Sequence, residues 1–367
     1  MSSSIPTTQK ALLLHKESTP YVLGEIPVPK PGPQDVLVEI RACALNPIDY
    51  AIVDPPTSRR LIRTWPFIPG ADAAGVVVEV GSEVTNLKVG DKILFEGDWT
   101  APGSSTCQQY AIVPADLTAL IPDNITFEQA ASVPLALATD VILFYNQSPA
   151  PENLSLRLKP VWEPEGKTAY AGTPAFIVGG ASSVGQYAIQ LAKMAGYDPI
   201  ITTASLHNEQ LLKSLGATHV VDRNRSNESI LAELPSLTGG KPIHFAFVAV
   251  PRAGGPDALR LGRDALAPGG LLSTPLNNGD GLPEDCRNLG DGKRTGYVFG
   301  SARLPHTRDI SRAMFQQLTG WLETGLLKPN PVEVLPNGLA GVPDGLARMK
   351  ANKVSARKLI VRPQETP

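Results

Sequence analysis

The pattern of apolar and polar positions changes character along the chain. Short stretches in which apolar and polar residues alternate, such as 36–42 and 74–80, fill much of residues 11–120 and predict a β-rich first part. From residue 175 onward, apolar runs of strand length alternate with helical segments. That alternation predicts a doubly wound α/β region, because helices connect parallel strands and cover both faces of their sheet.

One strand, turn and helix carry the most information. The apolar run at 175–178 is followed by Gly-Gly-Ala-Ser-Ser-Val-Gly at 179–185 and by a helical pattern at 186–193. Small residues in such a turn let the backbone approach a pyrophosphate, and the N–H groups at the helix N-terminus stabilise its charge. The glycine spacing is imperfect, since Ser182 stands where a second glycine belongs. The strand and helix patterns that follow at 199–222 favour a dinucleotide-binding unit over an ordinary turn, with predicted cofactor contacts from Gly180, Ser182, Ser183, Val184 and Gly185.

The end of the second strand of this unit indicates which dinucleotide binds. An NAD site carries an acidic residue there to accept hydrogen bonds from the ribose 2′-hydroxyl. This chain instead has Thr203, Ser205 and Asn208 before the first carboxylate, and Arg223 and Arg225 follow the third strand. Hydroxyl, amide and guanidinium groups accommodate a 2′-phosphate, which a carboxylate would repel. The predicted cofactor is NADPH, with Thr203, Ser205, Asn208 and Arg223 among its contacts.

Composition narrows the class of protein. The 367 residues are enough for two domains, and 42% hydrophobic and 19% charged residues are typical of a soluble enzyme. The net charge of −2, without a basic stripe, argues against a nucleic-acid or membrane partner. Three widely spaced cysteines indicate a reducing compartment, and the first ten residues lack the apolar region of a secretory signal. The predicted location is cytoplasmic.

Proline is concentrated in one long connection. Residues 148–174 contain five prolines and separate a helical pattern that ends near Tyr145 from the first strand of the dinucleotide unit. A loop of this length inside a compact protein is usually a functional cover or an insertion, so we do not place a domain boundary there.

Several motifs resemble the medium-chain dehydrogenase/reductase superfamily. They are Pro-Gly-Ala-Asp-Ala-Ala-Gly-Val-Val at 69–77, Val-Gly-Ser-Glu-Val at 80–84 and Val-Gly-Asp-Lys-Ile at 89–93. Asn-Pro-Ile-Asp at 46–49 is similar to an element of the zinc-independent quinone and enoyl reductases. The segments 182–193 and 203–208 are most similar to fungal reductases that include the trans-acting enoyl reductase partners of polyketide synthases.

This resemblance implies a domain organisation. A GroES-like, β-rich catalytic domain is expected to comprise residues 1–135 and 308–367. A doubly wound Rossmann domain that binds NADPH is expected at residues 136–307. The C-terminal tail then returns to complete the first domain.

The resemblance also implies that no metal is bound. Zinc-dependent members place a metal ligand where this chain has Asn46, and a Gly-His-Glu motif where it has Gly70-Ala71-Asp72. Their structural zinc site needs four closely spaced cysteines, whereas this chain has three in total. Cys43 and Asp72 cannot complete a tetrahedral zinc site by themselves.

Candidate catalytic residues follow from the same resemblance. Asn46 replaces a zinc ligand and is a candidate to contact the substrate carbonyl or the nicotinamide; its alternative is a turn residue before Pro47. Tyr50 is a candidate donor to an enolate or a core residue, and Asp49 is expected to cap the helix that it begins. Thr139 matches the family threonine whose hydroxyl faces the nicotinamide. Further cofactor contacts are predicted at Val250, Leu276, Phe299 and Gly300.

Three positions depart from the family pattern. Ala51 stands where relatives often have lysine, Asp140 stands where a small residue is usual, and the strand at 246–250 lacks an aspartate.

The predicted function is NADPH-dependent, zinc-independent hydride delivery to an activated carbon–carbon double bond. Its substrate is an enoyl or other α,β-unsaturated carbonyl compound, with a carrier-bound polyketide intermediate as one candidate. The alternatives are a quinone oxidoreductase and a non-catalytic NADPH-binding protein, and the protein is expected to be a monomer or a homodimer.

Overall fold

The computed structural model describes residues 5–101, 103–251, 253–275 and 281–367. These residues form two compact units. The first comprises the described residues up to Leu135 together with Phe315–Gly325 and Pro329–Pro367. The second comprises Ala136–Met314 and Leu326–Lys328.

Strands and helices are numbered along the whole chain. The strands are β1 (Thr8–Leu13), β2 (Val22–Pro27), β3 (Asp35–Ala44), β4 (Asp72–Val80), β5 (Lys92–Glu96), β6 (Tyr110–Pro114), β7 (Thr118–Leu120), β8 (Ala175–Val178), β9 (Ile200–Ala204), β10 (His219–Asp222), β11 (Phe245–Val248), β12 (Leu271–Thr274), β13 (Arg294–Tyr297), β14 (Val332–Val334) and β15 (Lys358–Val361). The helices are α1 (Pro47–Ala51), α2 (Thr57–Leu61), α3 (Phe127–Ala131), α4 (Pro134–Tyr145), α5 (Ser183–Met194), α6 (Glu209–Leu215), α7 (Asn227–Leu237), α8 (Gly255–Asp264), α9 (Glu284–Arg287), α10 (Arg308–Glu323) and α11 (Val342–Lys350).

The first unit is built on a mostly antiparallel sheet. Its strand order is β14-β15-β3-β4-β5-β7, with β6 also paired to β3. The long strand β3 is central because its apolar side chains, such as Val36, Val38 and Ile40, are completely buried in the core of this unit. The strand β15 near the C-terminus pairs antiparallel with the end of β3, where Ile360 opposes Ala44. The tail therefore supplies a strand beside the segment that contains Asn46.

The second unit contains a six-stranded sheet in the order β10-β9-β8-β11-β12-β13. All five neighbouring pairs are parallel. Numbered from β8, the order is 3-2-1-4-5-6, which is the order of the dinucleotide-binding Rossmann sheet. The predicted doubly wound α/β fold is confirmed.

Helix α4 is the most apolar helix of the chain. Phe144 on α4 packs edge-to-face against Phe245 and Phe247 of β11, with ring centroids 5.2 and 5.3 Å apart. Among the described residues, the stretch Phe127–Tyr145 is long and apolar enough to cross a membrane, but 78% of it is buried inside the protein. Its apolar composition is that of a core helix.

The proline-rich segment 148–174 contains no helix or strand. Part of it lies along β13, the edge strand of the parallel sheet: the Tyr297 N–H donates to the Leu154 carbonyl at 3.1 Å, and the Arg294 guanidinium donates to the Leu156 carbonyl at 3.4 Å. A Cβ at Gly296 would lie 3.0 Å from the Leu154 oxygen, so the glycine permits this close approach. The segment thus covers the edge of β13.

Candidate functional site

The glycine-rich turn joins β8 to α5 in a close-packed arrangement. Gly179 has a φ of +86°, in the left-handed region that favours glycine. A Cβ at Gly185 would lie 2.4 Å from the Gly179 carbonyl oxygen and 2.8 Å from the Gly180 Cα atom. The turn can keep this shape only with glycine at position 185.

Ser182 is the N-cap of α5. Its Oγ accepts a hydrogen bond from the Gly185 N–H at 3.1 Å and donates to the Gly179 carbonyl at 2.9 Å. The serine at the position of the second glycine is therefore a helix cap that closes the turn. Ser183 and Val184 form the first turn of α5 and are half-buried, and the Val184 N–H donates to no described residue. A compact turn with an available N–H at a helix N-terminus fits the pyrophosphate of a dinucleotide.

The end of β9 is bonded to this turn. The Thr203 side chain is buried, and its Oγ1 accepts a hydrogen bond from the Gly179 N–H at 3.1 Å. Thr203 therefore shapes the turn with its hydroxyl. Ser205 follows the strand and is half-buried, and Asn208 is buried in the short helical turn after it.

The two arginines after β10 have different surroundings. The Arg223 N–H donates to the Ala204 carbonyl at 3.0 Å, which places this residue beside the end of β9. The exposed Arg223 guanidinium has no hydrogen bond or ion pair to any residue that the structure describes. Arg225 instead pairs with Glu233 and bonds Ser229. Of the two, Arg223 has the guanidinium available to an anion.

Two of the remaining predicted cofactor contacts cluster with other predicted residues. Val250 packs against the glycine-rich turn, since a Cβ at Gly179 would lie 2.6 Å from its Cγ2. Gly300 lies against Thr139, since a Cβ at Gly300 would lie 2.2 Å from the threonine Oγ1. Phe299 precedes Gly300 and is half-buried, whereas Leu276 lies outside the described residues. These residue roles stay predictions.

Asp140 follows Thr139 on α4 and is completely buried. Neither carboxyl oxygen has a hydrogen-bond partner among the described residues. Desolvation raises the pKa of this carboxyl well above 3.8, because burial penalises the charged form. Phe144, one helical turn later, packs on β11, so the Asp140 side of α4 faces the sheet.

Helix α1 begins with a capping box. Asn46 is the N-cap, and its backbone N–H donates to Asp49 Oδ2 at 2.8 Å. The helix starts at Pro47, so the expectation that Asp49 begins it was wrong. Asp49 is its third residue and reaches back to bond Asn46. Its second oxygen accepts from the Gly70 N–H at 3.0 Å, which fixes the approach of β4.

The Asn46 side chain belongs to a buried polar network with Asp72 and Lys358. Asn46 Nδ2 donates to Asp72 Oδ2 at 2.9 Å, and Lys358 Nζ donates to Asn46 Oδ1 at 2.6 Å. Lys358 and Asp72 also form an ion pair at 3.0 Å, and their side chains are only 4% and 0% exposed. The other Asp72 oxygen accepts from the Leu135 N–H at 2.6 Å, in the first turn of α4. Both ends of the Asn46 amide are occupied, and a direct contact of Asn46 with substrate stays a prediction.

The pKa of Asp49 is raised to about 7, chiefly by burial. The Asn46 and Gly70 N–H groups and the Lys358 charge act in the opposite direction, while Asp72 raises the pKa further. This carboxyl therefore titrates near neutral pH, and its charge depends on the network beside it.

Three further points concern Tyr50, metal binding and Lys358. Tyr50 is half-buried and packs against the core of the first unit, and its role as a donor stays a prediction. Within the described parts of the chain, no group of three or more His, Cys, Asp or Glu residues could hold a metal ion. Lys358 was missed by the sequence reasoning, because it is 312 residues from Asn46 and no local motif marks it.

These features define a class of protein: a dinucleotide-binding Rossmann unit together with a β-rich unit that carries a buried polar network. The alcohol dehydrogenase GroES-like domain family matches residues 32–123, and the zinc-binding dehydrogenase family matches residues 183–302. The trans-enoyl reductase grgB of Penicillium sp is 31% identical over 373 residues, covering 97% of this chain and 99% of that protein.

Solved structures agree on the fold. An alcohol dehydrogenase superfamily protein from Novosphingobium aromaticivorans has a TM-score of 0.78 at 23% identity, covering 96% of this chain and 99% of that chain. The quinone oxidoreductase from Coxiella burnetii has a TM-score of 0.74 at 23% identity, covering 97% and 99%. The chain belongs to the medium-chain dehydrogenase/reductase family, with a GroES-like domain and a Rossmann-like domain, and it is an oxidoreductase. Family and fold imply a nicotinamide cofactor.

Proposed function

We propose that this protein is an NADPH-dependent, zinc-independent reductase of activated carbon–carbon double bonds. Its substrate class is enoyl and other α,β-unsaturated carbonyl compounds. The observation that carries the proposal is the network at Asn46, Asp72 and Lys358. An ammonium group lies 2.6 and 3.0 Å from the two side chains that stand at the family's metal-ligand positions. Those side chains are therefore committed to a lysine, and the donor set is not that of a zinc site.

The cofactor is held by the second unit. The pyrophosphate would be held by the glycine-rich turn, through Gly180, Ser182, Ser183, Val184 and Gly185. The 2′-phosphate would be held by the Arg223 guanidinium beside Ser205. A bound reduced nicotinamide supplies a hydride. The residues of this chain orient the reactants: Gly300 packs closely against Thr139, whose Oγ1 would be only 2.2 Å from a Cβ at position 300, and the Thr139 hydroxyl would face the nicotinamide.

The substrate is carried by a partner. The 31% identical relative is named a trans-enoyl reductase, and it aligns over nearly the whole of both chains. A carrier-bound polyketide intermediate is therefore the preferred form of the substrate, in a fungal pathway of secondary metabolism. The enzyme acts in the cytoplasm, without a nucleic-acid or membrane partner.

The reductase acts as a monomer. Pairing of two such sheets edge to edge needs an unpaired edge strand, and one of the two edge strands, β13, is covered by the Leu154 segment, whose carbonyl accepts from the Tyr297 N–H at 3.1 Å. Sedimentation of the protein at micromolar concentration tests this point: a single species of 39.0 kDa is expected, and a dimer would contradict it.

Two arginine variants test the cofactor assignment. Arg223→Ala removes the guanidinium assigned to the 2′-phosphate, whereas the matched control Arg225→Ala removes one already paired with Glu233. A lost charge-assisted hydrogen bond costs about 1.5–3 kcal/mol, so the Kd for NADPH should rise about 10- to 150-fold in Arg223→Ala. The Kd for NADH should not change in either variant. An equal effect of the two substitutions would contradict the assignment.

The reaction is tested with a panel of acceptors: a 2-enoyl thioester, a 2-alkenal, a cyclic enone, a quinone and an aldehyde. Oxidation of NADPH with the enoyl acceptors supports the proposal, and turnover of the quinone alone would favour a quinone oxidoreductase. Tight NADPH binding without turnover of any acceptor, including a carrier-bound enoyl thioester, would indicate a non-catalytic protein.

A further inference from the structure

The buried network joins three segments that are distant in the sequence. Asp72 begins β4, Lys358 begins β15, and Asn46 precedes α1. Every hydrogen bond within the triangle is 3.0 Å or shorter, and all three residues are nearly inaccessible to solvent. We propose that Lys358 and Asp72 are positioning residues, which fix the orientation of the Asn46 amide and the start of α4 for the reductase reaction.

The orientation of the amide follows from charge. The Asn46 Nδ2 group can only donate and faces the Asp72 carboxylate, whereas Oδ1 can only accept and faces the Lys358 ammonium. A reversed amide would place a donor against the ammonium and an acceptor against the carboxylate. The ion pair therefore stabilises one orientation and opposes the other.

Asp72 also connects the network to α4. Its Oδ1 accepts from the Leu135 N–H at 2.6 Å, which satisfies one of the N–H groups that lack an acceptor in the first turn of a helix. Asp49 completes the arrangement by bonding the Asn46 and Gly70 N–H groups, and the next residue of α1 is Tyr50. One network thus joins the segments of Asn46 and Tyr50 to the N–H of Leu135 at the start of α4.

Single substitutions in the network are expected to destabilise the protein. Lys358→Met leaves the buried Asp72 carboxylate without its cation, and Asp72→Asn leaves the ammonium without its anion. The double variant Lys358→Met/Asp72→Asn removes both charges and should recover most of the lost stability. The double variant cannot restore the orientation of the Asn46 amide. The new side-chain amide at position 72 would use its oxygen to accept from the Leu135 N–H, so its NH2 group would face the Asn46 NH2 group, and two donors would meet.

Activity then separates positioning from folding. This part of the test rests on the proposed function. The double variant should have a Tm near that of the wild type but a kcat for an enoyl acceptor reduced about 10- to 100-fold, with an unchanged Kd for NADPH. Recovery of kcat together with Tm would overturn the positioning role and leave the reductase function intact.

A second readout needs no activity. Asp49 lies within the influence of both charges, so removing Lys358 should raise its pKa from about 7, and removing the Asp72 charge should lower it. In the double variant, the pKa of Asp49 should lie between its values in the two single variants. The other titratable groups that face Asp49 are the Tyr21 hydroxyl, which donates to the Asp49 carbonyl at 2.8 Å, and the Cys107 thiol, and both have raised pKa values.

The carbon-13 shift of the Asp49 carboxyl, assigned with Asp49→Asn, measures this titration. Shifts of opposite sign in the two single variants support the coupled network, and shifts of the same sign or none would overturn it. If the wild type reduces no acceptor, the proposed function is wrong, but the titration of Asp49 still tests whether the network is coupled.

Discussion

Asp140 is a carboxyl group buried without a partner, and its cost can be measured. The Asp140→Asn variant keeps the size and polarity of the side chain but cannot ionise. Asp140 is 0% exposed, and neither oxygen is hydrogen-bonded within the described part of the chain. A buried polar group without a partner lowers the stability of the folded protein by about 1–3 kcal/mol. This loss is the same for protonated Asp140 in the wild type and for the asparagine of the variant. The two proteins should therefore be equally stable at low pH.

The difference appears as the pH rises. Burial raises the pKa of the folded carboxyl well above 3.8, so above that pH the folded state binds more protons than the unfolded state. The stability of the wild type then falls with pH, by about 1.4 kcal/mol per unit, until the pH passes the folded pKa. The asparagine variant lacks this loss. The Tm of Asp140→Asn relative to that of the wild type should therefore rise by roughly 3–6 °C for each increase of one in pH, for a folded domain of this size.

Thermal unfolding of both proteins from about pH 4 to pH 7 tests this reasoning. Asp309→Asn is the matched control, because it makes the same substitution at a side chain that is 93% exposed. A pH-independent difference between the wild type and Asp140→Asn would instead mean that the Asp140 carboxylate has a partner that stabilises its charge.

Three further predictions concern close packing. Gly300→Ala places a Cβ 2.2 Å from Thr139 Oγ1, so we expect kcat to fall at least tenfold; an unchanged kcat in steady-state assays would contradict the contact. Gly185→Ala places a Cβ 2.4 Å from the Gly179 oxygen, and calorimetry should show lost NADPH binding and about 1–3 kcal/mol lower stability. Thiol reagents should label no cysteine before unfolding and three afterwards, because Cys43, Cys107 and Cys286 are buried. Rapid labelling of the native protein would contradict this burial.

Much of the second unit could be predicted from sequence because its signals are local. The apolar run before Gly179, the small residues of the turn and the helix pattern that follows all lie within about twenty residues. Ser182 shows the limit of motif spacing: it breaks the glycine pattern yet closes the turn as a helix cap. The absence of an acidic residue before Glu209 is likewise a local signal.

The polar network was beyond sequence reasoning for the opposite reason. Asn46 and Asp72 were identified as departures from zinc ligands, but their partner Lys358 comes from the last strand of the chain. Only the pairing of β15 with β3 brings the lysine to them. Similarly, Cys43 and Cys107 are 64 residues apart, and the fold brings their sulfur atoms to 3.6 Å. Contacts made by strand pairing leave no periodic pattern in the sequence.

The most direct test of the proposed reductase follows the hydride itself. The protein would be incubated with NADPH deuterated at the transferable position and a 2-enoyl thioester, both free and carrier-bound, and the product would be analysed by mass spectrometry and NMR. The expected product is a saturated thioester with one deuterium on the β-carbon, and the reaction with NADH should be slower. Deuterium on the carbonyl carbon, or no saturated product from either form of the substrate, would contradict the proposed function.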